Sequence, residues 1–248
     1  MMPGLGRRVV AEFTGTGLLV AVVVGSGIAA SRLSPHDIGL QLLENSTATA
    51  FGLAVLILIF GPVSGAHLNP VVSVADWWLG RRASAGLTTS DLSVYIATQI
   101  TGGIGGAILA NLMFAEPAAS IATTRRDGAH LWLGEIVATA GLVLLIFTLA
   151  RTGRTAAAPA AVGAYIGAAY WFTSSTSFAN PAITIGRVFT DTFAGIAPGS
   201  VPGFITAQAA GLVVGLALLA VLYPDASRAA GEIVIPHEPA TDPERSKP

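Results

Sequence analysis

Two asparagine–proline pairs, Asn69-Pro70 in "SGAHLNPVVS" and Asn180-Pro181 in "SFANPAITIGR", carry the most distinctive chemistry in this sequence. A carboxamide is neither nucleophile nor base; it donates and accepts hydrogen bonds. Asn is a favoured residue just before a helix, and Pro a favoured first helical residue. Each pair therefore starts a helix, with Val71 and Ala182 next inside it. The N-terminal end of a helix carries about half a positive charge. Two such ends facing one point, each with a carboxamide, repel cations and donate to a passing oxygen. Carbonyls of Gly65, Ala66 and His67, and of Ser175, Thr176 and Ser177, are placed to accept from the same molecule. The pattern suits a small neutral hydroxylated molecule.

The elements that must hold these pairs are apolar. The chain has 248 residues, 52% hydrophobic and 11% charged, against about 25% charged in a soluble domain. No Asp, Glu, Lys or Arg occurs from Asn45 to Ala75, Leu92 to Ala115, Thr155 to Gly186 or Thr192 to Pro224. A bilayer core of about 30 Å takes roughly 20 apolar residues per helix. Six spans follow, near 9–29, 44–63, 92–115, 130–150, 156–174 and 202–223. The helices after the Asn-Pro pairs have room for only about ten residues, roughly 15 Å, half the core. They are expected to re-enter from opposite faces and meet at the midplane. Their leading loops must then be buried in protein or line a wet cavity, because lipid cannot satisfy backbone polar groups.

The halves echo one another. "AEFTGTGLLV" and "GEIVATAGLV" align Glu12 with Glu135, while "TQITGGIGG" and "AQAAGLVVG" align Gln99 with Gln208. With three spans per unit, the second copy is inverted in the membrane. The expected division is 1–120 and 121–228, followed by a disordered cytoplasmic tail over 229–248. Arg7, Arg8, Arg81, Arg82, Arg151, Arg154 and Arg228 outnumber Arg32, Arg125, Arg126 and Arg187 on the other side. That bias puts both termini in the cytoplasm of a multi-pass inner (plasma) membrane protein.

Several classes are excluded or disfavoured. With no cysteine and four scattered histidines, thiolate chemistry, disulfides and a metal cage have no basis. Net charge of −1 offers no nucleic-acid surface. No cofactor is expected. An intramembrane serine protease needs a Gly-x-Ser-Gly turn, and "PVSGAH" has Pro62 at the first glycine. An ion-coupled secondary transporter of a small solute remains the alternative, although the symmetric Glu12 and Glu135 are a poor match for a coupling site.

These motifs resemble those of the aquaporin, or major intrinsic protein, family over roughly residues 7–225. The resemblance rests on "SGAHLNPV", "SFANPA", Glu12, Glu135 and "AFGLAVL". It implies an all-α membrane protein: six transmembrane helices, two re-entrant half-helices, one pore per protomer and a homotetramer. It implies a passive, non-enzymatic channel for water or small neutral solutes, with glycerol-like polyols and metalloid acids such as arsenous acid as candidates. Glu12 and Glu135 would anchor the re-entrant loops. The departures lie at the selectivity filter. Ile183 stands where water channels of the family place Arg, and Arg187, one turn on, is either vestibule lining or a loop anchor. Phe51, Ala168 and Ser177 complete the expected filter, with the spacing from Phe51 to Asn69 two residues shorter than the family's.

Overall fold

The computed structural model describes residues 3–83 and 86–224, and no strand occurs among them. Among the described residues eight α-helices follow one another: α1 (Leu5–Leu33), α2 (Ile38–Ser64), α3 (Pro70–Ala83), α4 (Thr89–Met113), α5 (Ala129–Arg151), α6 (Ala158–Phe172), α7 (Pro181–Gly186) and α8 (Val201–Leu222). The tail expected over 229–248 lies outside the described residues.

Among the described residues five helical stretches are long and apolar enough to cross a membrane, namely α1, α2, α4, α5 and the run Pro198–Leu222 containing α8. The sixth pass is shorter. α6 has 15 residues and follows a 3-10 turn at Thr155–Ala157. Together they reach about 28 Å, close to the core thickness. Helix ends are set locally. The Asp37 carboxylate accepts from Leu40 N at the start of α2, and Thr88 Oγ1 accepts from Asp91 N at the start of α4. Gly65, left-handed at φ 85°, ends α2.

The six passes pack as two similar halves. α1 lies along α4 and α5 lies along α8. Both contacts depend on close backbone approach: a Cβ on Gly106 would overlap the Gly17 carbonyl oxygen, and one on Gly215 would sit 2.8 Å from the Ala140 carbonyl oxygen. After six passes, α1 begins and α8 ends on the same side, called here the terminal face. α3 and α7 return from the midplane, α3 to the terminal face and α7 to the far face.

The half-helices differ from the ten residues expected of each. α3 has 14 residues and α7 only six, followed by a 3-10 turn at Arg187–Phe189. The turn ends α7 because its carbonyls are used elsewhere. Val188 O accepts from Ala122 N (2.8 Å), and Phe189 O accepts from Ser120 N (3.3 Å) and Asn111 Nδ2 (3.0 Å). Residues 114–128, between α4 and α5, thereby lie over the segment after α7.

Candidate pore and its re-entrant loops

Each re-entrant loop is tied to one buried carboxylate. Glu12 Oε1 accepts from Ser64 Oγ (2.6 Å) and His67 N (3.0 Å), and its Oε2 accepts from Leu68 N (2.8 Å) and Gln99 Nε2 (2.7 Å). Glu135 Oε1 accepts from Ser175 Oγ (2.7 Å) and Phe178 N (2.8 Å), and its Oε2 accepts from Ala179 N (2.8 Å) and Gln208 Nε2 (2.7 Å). Gln99 also donates to Ser73 Oγ and Gln208 to Thr184 Oγ1, both at 2.9 Å. Both glutamates are fully buried. With four donors each, their carboxylates are hydrogen-bonded as a buried charge must be. Ala66, Leu68, Ser177 and Ala179 hold φ between 47° and 51°, a region non-glycine residues rarely occupy. The carboxylate ties hold the backbone there.

The loops meet tip to tip. Asn69 Nδ2 donates to Ala179 O (2.8 Å), and Asn180 Nδ2 donates to Leu68 O (2.7 Å). On the other side of each amide, Asn69 Oδ1 accepts from Val71 N (2.9 Å), and Asn180 Oδ1 accepts from Ala182 N (2.9 Å) and Ile183 N (3.3 Å). The Asn69 carboxamide is thus oriented by two partners and that of Asn180 by three, and each Nδ2 keeps one N–H with no acceptor among the described residues. Both asparagines line a cavity of about 570 Å³. Pro70 and Pro181 open α3 and α7. Val71 packs away from the cavity with Ala75, Val143, Phe147 and Leu219, and Ala182 is buried against Gly103.

The cavity wall corrects the expected filter in two places. Phe51 is 70% exposed on the outer surface of α2, and Ala168 is likewise exposed on α6. Thr49 and Tyr170 line the cavity instead, with Thr49 Oγ1 and Tyr170 Oη 3.2 Å apart. The reason is helical register. Thr49, Leu53, Ile57, Gly61 and Gly65 line the wall at four-residue spacing, as do Val162, Ile166 and Tyr170. Stepping back by fours from Gly65 reaches Thr49, and Phe51 falls on another face. That stripe was available in the sequence and is the signal that finds Thr49.

Of the other expected filter residues, Ser177 and Ile183 do line the cavity, and Ser177 Oγ is buried with no hydrogen-bond partner among the described residues. Gly65, Ala66 and His67 are also on the wall. Ser175 and Thr176 are not. Ser175 Oγ serves Glu135 and Ser177 N, and Thr176 N returns to Thr173 O; the second-loop residues on the wall are Ser177, Phe178 and Ala179. Phe178 and Tyr170 are wall residues that the motifs alone did not single out.

Arg187 lines the far-face end of the cavity and is only 3% exposed. Its Nε donates to Ala194 O, and its guanidinium carbon lies 3.4 Å from the Phe178 ring centroid. Among the described residues no acidic side chain lines the cavity. Among the described residues no group of three or more metal-ligating side chains forms a site.

The sequence profile of the major intrinsic protein family matches residues 3–179. The chain is 50% identical over 215 residues to aquaglyceroporin AqpS of Rhizobium meliloti, covering 87% of this chain and 89% of that protein. It is 31% identical over 227 residues to the glycerol uptake facilitator protein of Pseudomonas aeruginosa, covering 79% and 78%. The X-ray structure of the aquaglyceroporin from Plasmodium falciparum has the same fold, with a TM-score of 0.65 at 19% identity over 90% of this chain and 99% of that one. With two facing half-helices inside six membrane passes, and a profile match over most of its length, this chain belongs to the major intrinsic protein, or aquaporin, family.

Proposed function

We propose that the protein is a passive channel that conducts water and small neutral hydroxylated solutes, glycerol-like polyols and trihydroxy metalloid acids such as arsenous acid among them. The observation that carries this reading is the pair of carboxamides at the meeting of the loops, each with one uncommitted N–H on the cavity wall. A solute hydroxyl can replace a water there bond for bond, while a cation meets two helix N-termini and sheds its hydration for nothing. The relatives' names, an aquaglyceroporin and a glycerol uptake facilitator, support the solute class.

The filter in this reading comprises Thr49, Tyr170, Ser177 and Ile183, with Arg187 at its outer edge. Ile183 in place of a charged residue leaves the constriction wider and less polar. The unit divides functionally into 1–120 and 121–228, works as a homotetramer, catalyses no bond chemistry, and sits in the inner (plasma) membrane with both termini cytoplasmic. An ion-coupled transporter is less well supported, because the two membrane-buried glutamates are spent on loop backbone and neither faces the cavity.

Stopped-flow swelling of reconstituted vesicles tests the reading. Glycerol and urea-sized solutes are expected to enter with weak temperature dependence and no saturation. Saturable flux that needs a proton or sodium gradient would transfer the protein to the transporter class. Ile183→Arg is expected to lower solute flux more than water flux; equal loss of both would dismiss the filter assignment.

A further inference from the structure

The far-face end of the cavity, at the outer edge of the proposed filter, holds a charged recognition element. Arg187 Nε is committed to Ala194 O and the guanidinium is stacked on Phe178, yet its two Nη groups make no hydrogen bond and no ion pair among the described residues. Arg126, from the segment between α4 and α5, approaches the same ring with its guanidinium carbon 5.3 Å from the centroid. Arg126 Nε donates to Gly195 O (2.9 Å) and its Nη2 to Phe193 O (3.2 Å). Two arginines thus hold three consecutive carbonyls, 193 to 195, and Arg126 is fixed in place by them. The acids of this surface are engaged elsewhere: Asp127 with Ser200 and Arg125, Asp191 with Thr123. The mouth therefore carries two arginines with no ion-paired carboxylate among the described residues, the Glu135 carboxylate behind Phe178 being spent on loop donors, and one guanidinium fork open to the cavity.

A guanidinium fork matches a planar group with two oxygens on one centre, and pairs with it through two parallel hydrogen bonds. Inward of Arg187 the wall turns apolar, with Ile183, Val23, Leu19, Ile166 and Leu53. A charged group moving past them would lose its hydration without replacement. We infer that Arg187, backed by Arg126, is a docking site for small monocarboxylate anions, and that a docked anion stops at the apolar belt and blocks neutral-solute flux. The inference rests on the channel reading for its consequence, but the binding itself does not.

Two measurements separate these parts. In the first, [13C]formate line broadening is recorded on the detergent-solubilised protein with no transport involved. The native protein is expected to broaden the line. R187Q is expected to bind formate roughly tenfold more weakly, and R187K, which keeps the charge but not the fork, to fall between. In the second, glycerol-driven swelling is compared in chloride and in formate of equal ionic strength, with formate equilibrated on both sides of the vesicle. Flux in formate, relative to the same protein's flux in chloride, is expected to drop several-fold for the native channel and much less for R187Q. Should R187Q fail to fold, R187K and R126Q supply the graded series. No broadening with the native protein, or equal broadening with native and R187K, overturns the docking site; equal relative block in native and R187Q overturns its role in the conduit. Absence of glycerol flux in chloride instead defeats the channel reading and leaves the formate result standing.

Discussion

The two re-entrant loops share a frame and differ in what hangs on it. Each has a buried glutamate with four donors, a glutamine bridging that glutamate to a half-helix hydroxyl, and an asparagine that reaches the opposite loop's carbonyl. On that frame, His67 of the first loop takes the place of Phe178 in the second, since their amides occupy equivalent positions on Glu12 and Glu135. His67 pairs through Nδ1 with Ser73 Oγ (2.9 Å) and stacks edge-on against Tyr95; Phe178 stacks edge-on against Phe204 and carries Arg187 on its face. The first loop feeds a 14-residue half-helix, the second a six-residue one held down by the 114–128 segment. The midplane is thus near-symmetric, and the asymmetry lies toward the mouths. A solute of either orientation meets the same donors at the centre, while entry from the two sides is judged by different groups.

The largest expected effect tests the frame. Glu12→Gln and Glu135→Gln each set an amide N–H against a backbone N–H in a fully buried site, a cost of about 1–3 kcal/mol per unpaired donor. Because the two sites match bond for bond, the two variants are expected to lose similar stability, read by denaturant titration in detergent. A variant that costs nothing at one site and several kcal/mol at the other would show the symmetry to be one of geometry only.

The meeting of the loops comes next. Asn69→Asp and Asn180→Asp each replace a donor to the opposing carbonyl with a repelling oxygen, and glycerol flux is expected to fall at least roughly tenfold in both. Their stabilities should diverge. Asn180 Oδ1 already accepts two backbone N–H bonds and Asn69 Oδ1 one, so the new carboxylate at 180 is the better supported. Equal destabilisation would remove that distinction between the halves.

The filter offers a finer test. Thr49→Phe narrows the far-face end where Thr49 and Tyr170 stand together, and is expected to cut glycerol flux roughly fivefold more than water flux. Phe51→Ala removes a larger side chain from an exposed surface of α2 and is expected to leave that ratio within about twofold of native. The opposite result would return the filter to position 51.

That pair of positions also marks how far the residues could be read from sequence alone. The passes, the half-helices and the all-helical class follow from charge-free runs and Asn-Pro punctuation, which are local signals. So does Ile183, a single residue after a motif. Phe51 rests on its residue type within "AFGLAVL", despite a distance to Asn69 two residues short of the family's, and Ala168 on the family's His position; an error of two residues turns a helix by about 200°. Counting by fours along the helix itself would have kept the register. The length of α7 was not legible in this way, because it ends where carbonyls 188 and 189 bond to a segment distant in sequence.

The smallest expected effect lies in the clasp over the second half-helix. Asp127 Oδ1 accepts from Ser200 Oγ (2.7 Å), with Arg125 on its other oxygen (3.0 Å), and these bonds, Ser200's first, hold its carboxyl below the ordinary carboxylate range. A depressed folded-state pKa stabilises the fold above the unfolded-state pKa, near 3.9, and that contribution is lost as pH falls through the folded value. Asp127 is exposed, so water screens the effect. Asp127→Asn is expected to lower the unfolding temperature by no more than about two degrees at pH 7 and by less at pH 3. Limited proteolysis of the 114–128 segment gives the same comparison at its source: faster cutting of the variant at neutral pH, and convergence with the native protein in acid. Equal cutting at both pH values would mean that the backbone bonds to residues 188, 189 and 197 hold the clasp without help from the side chain.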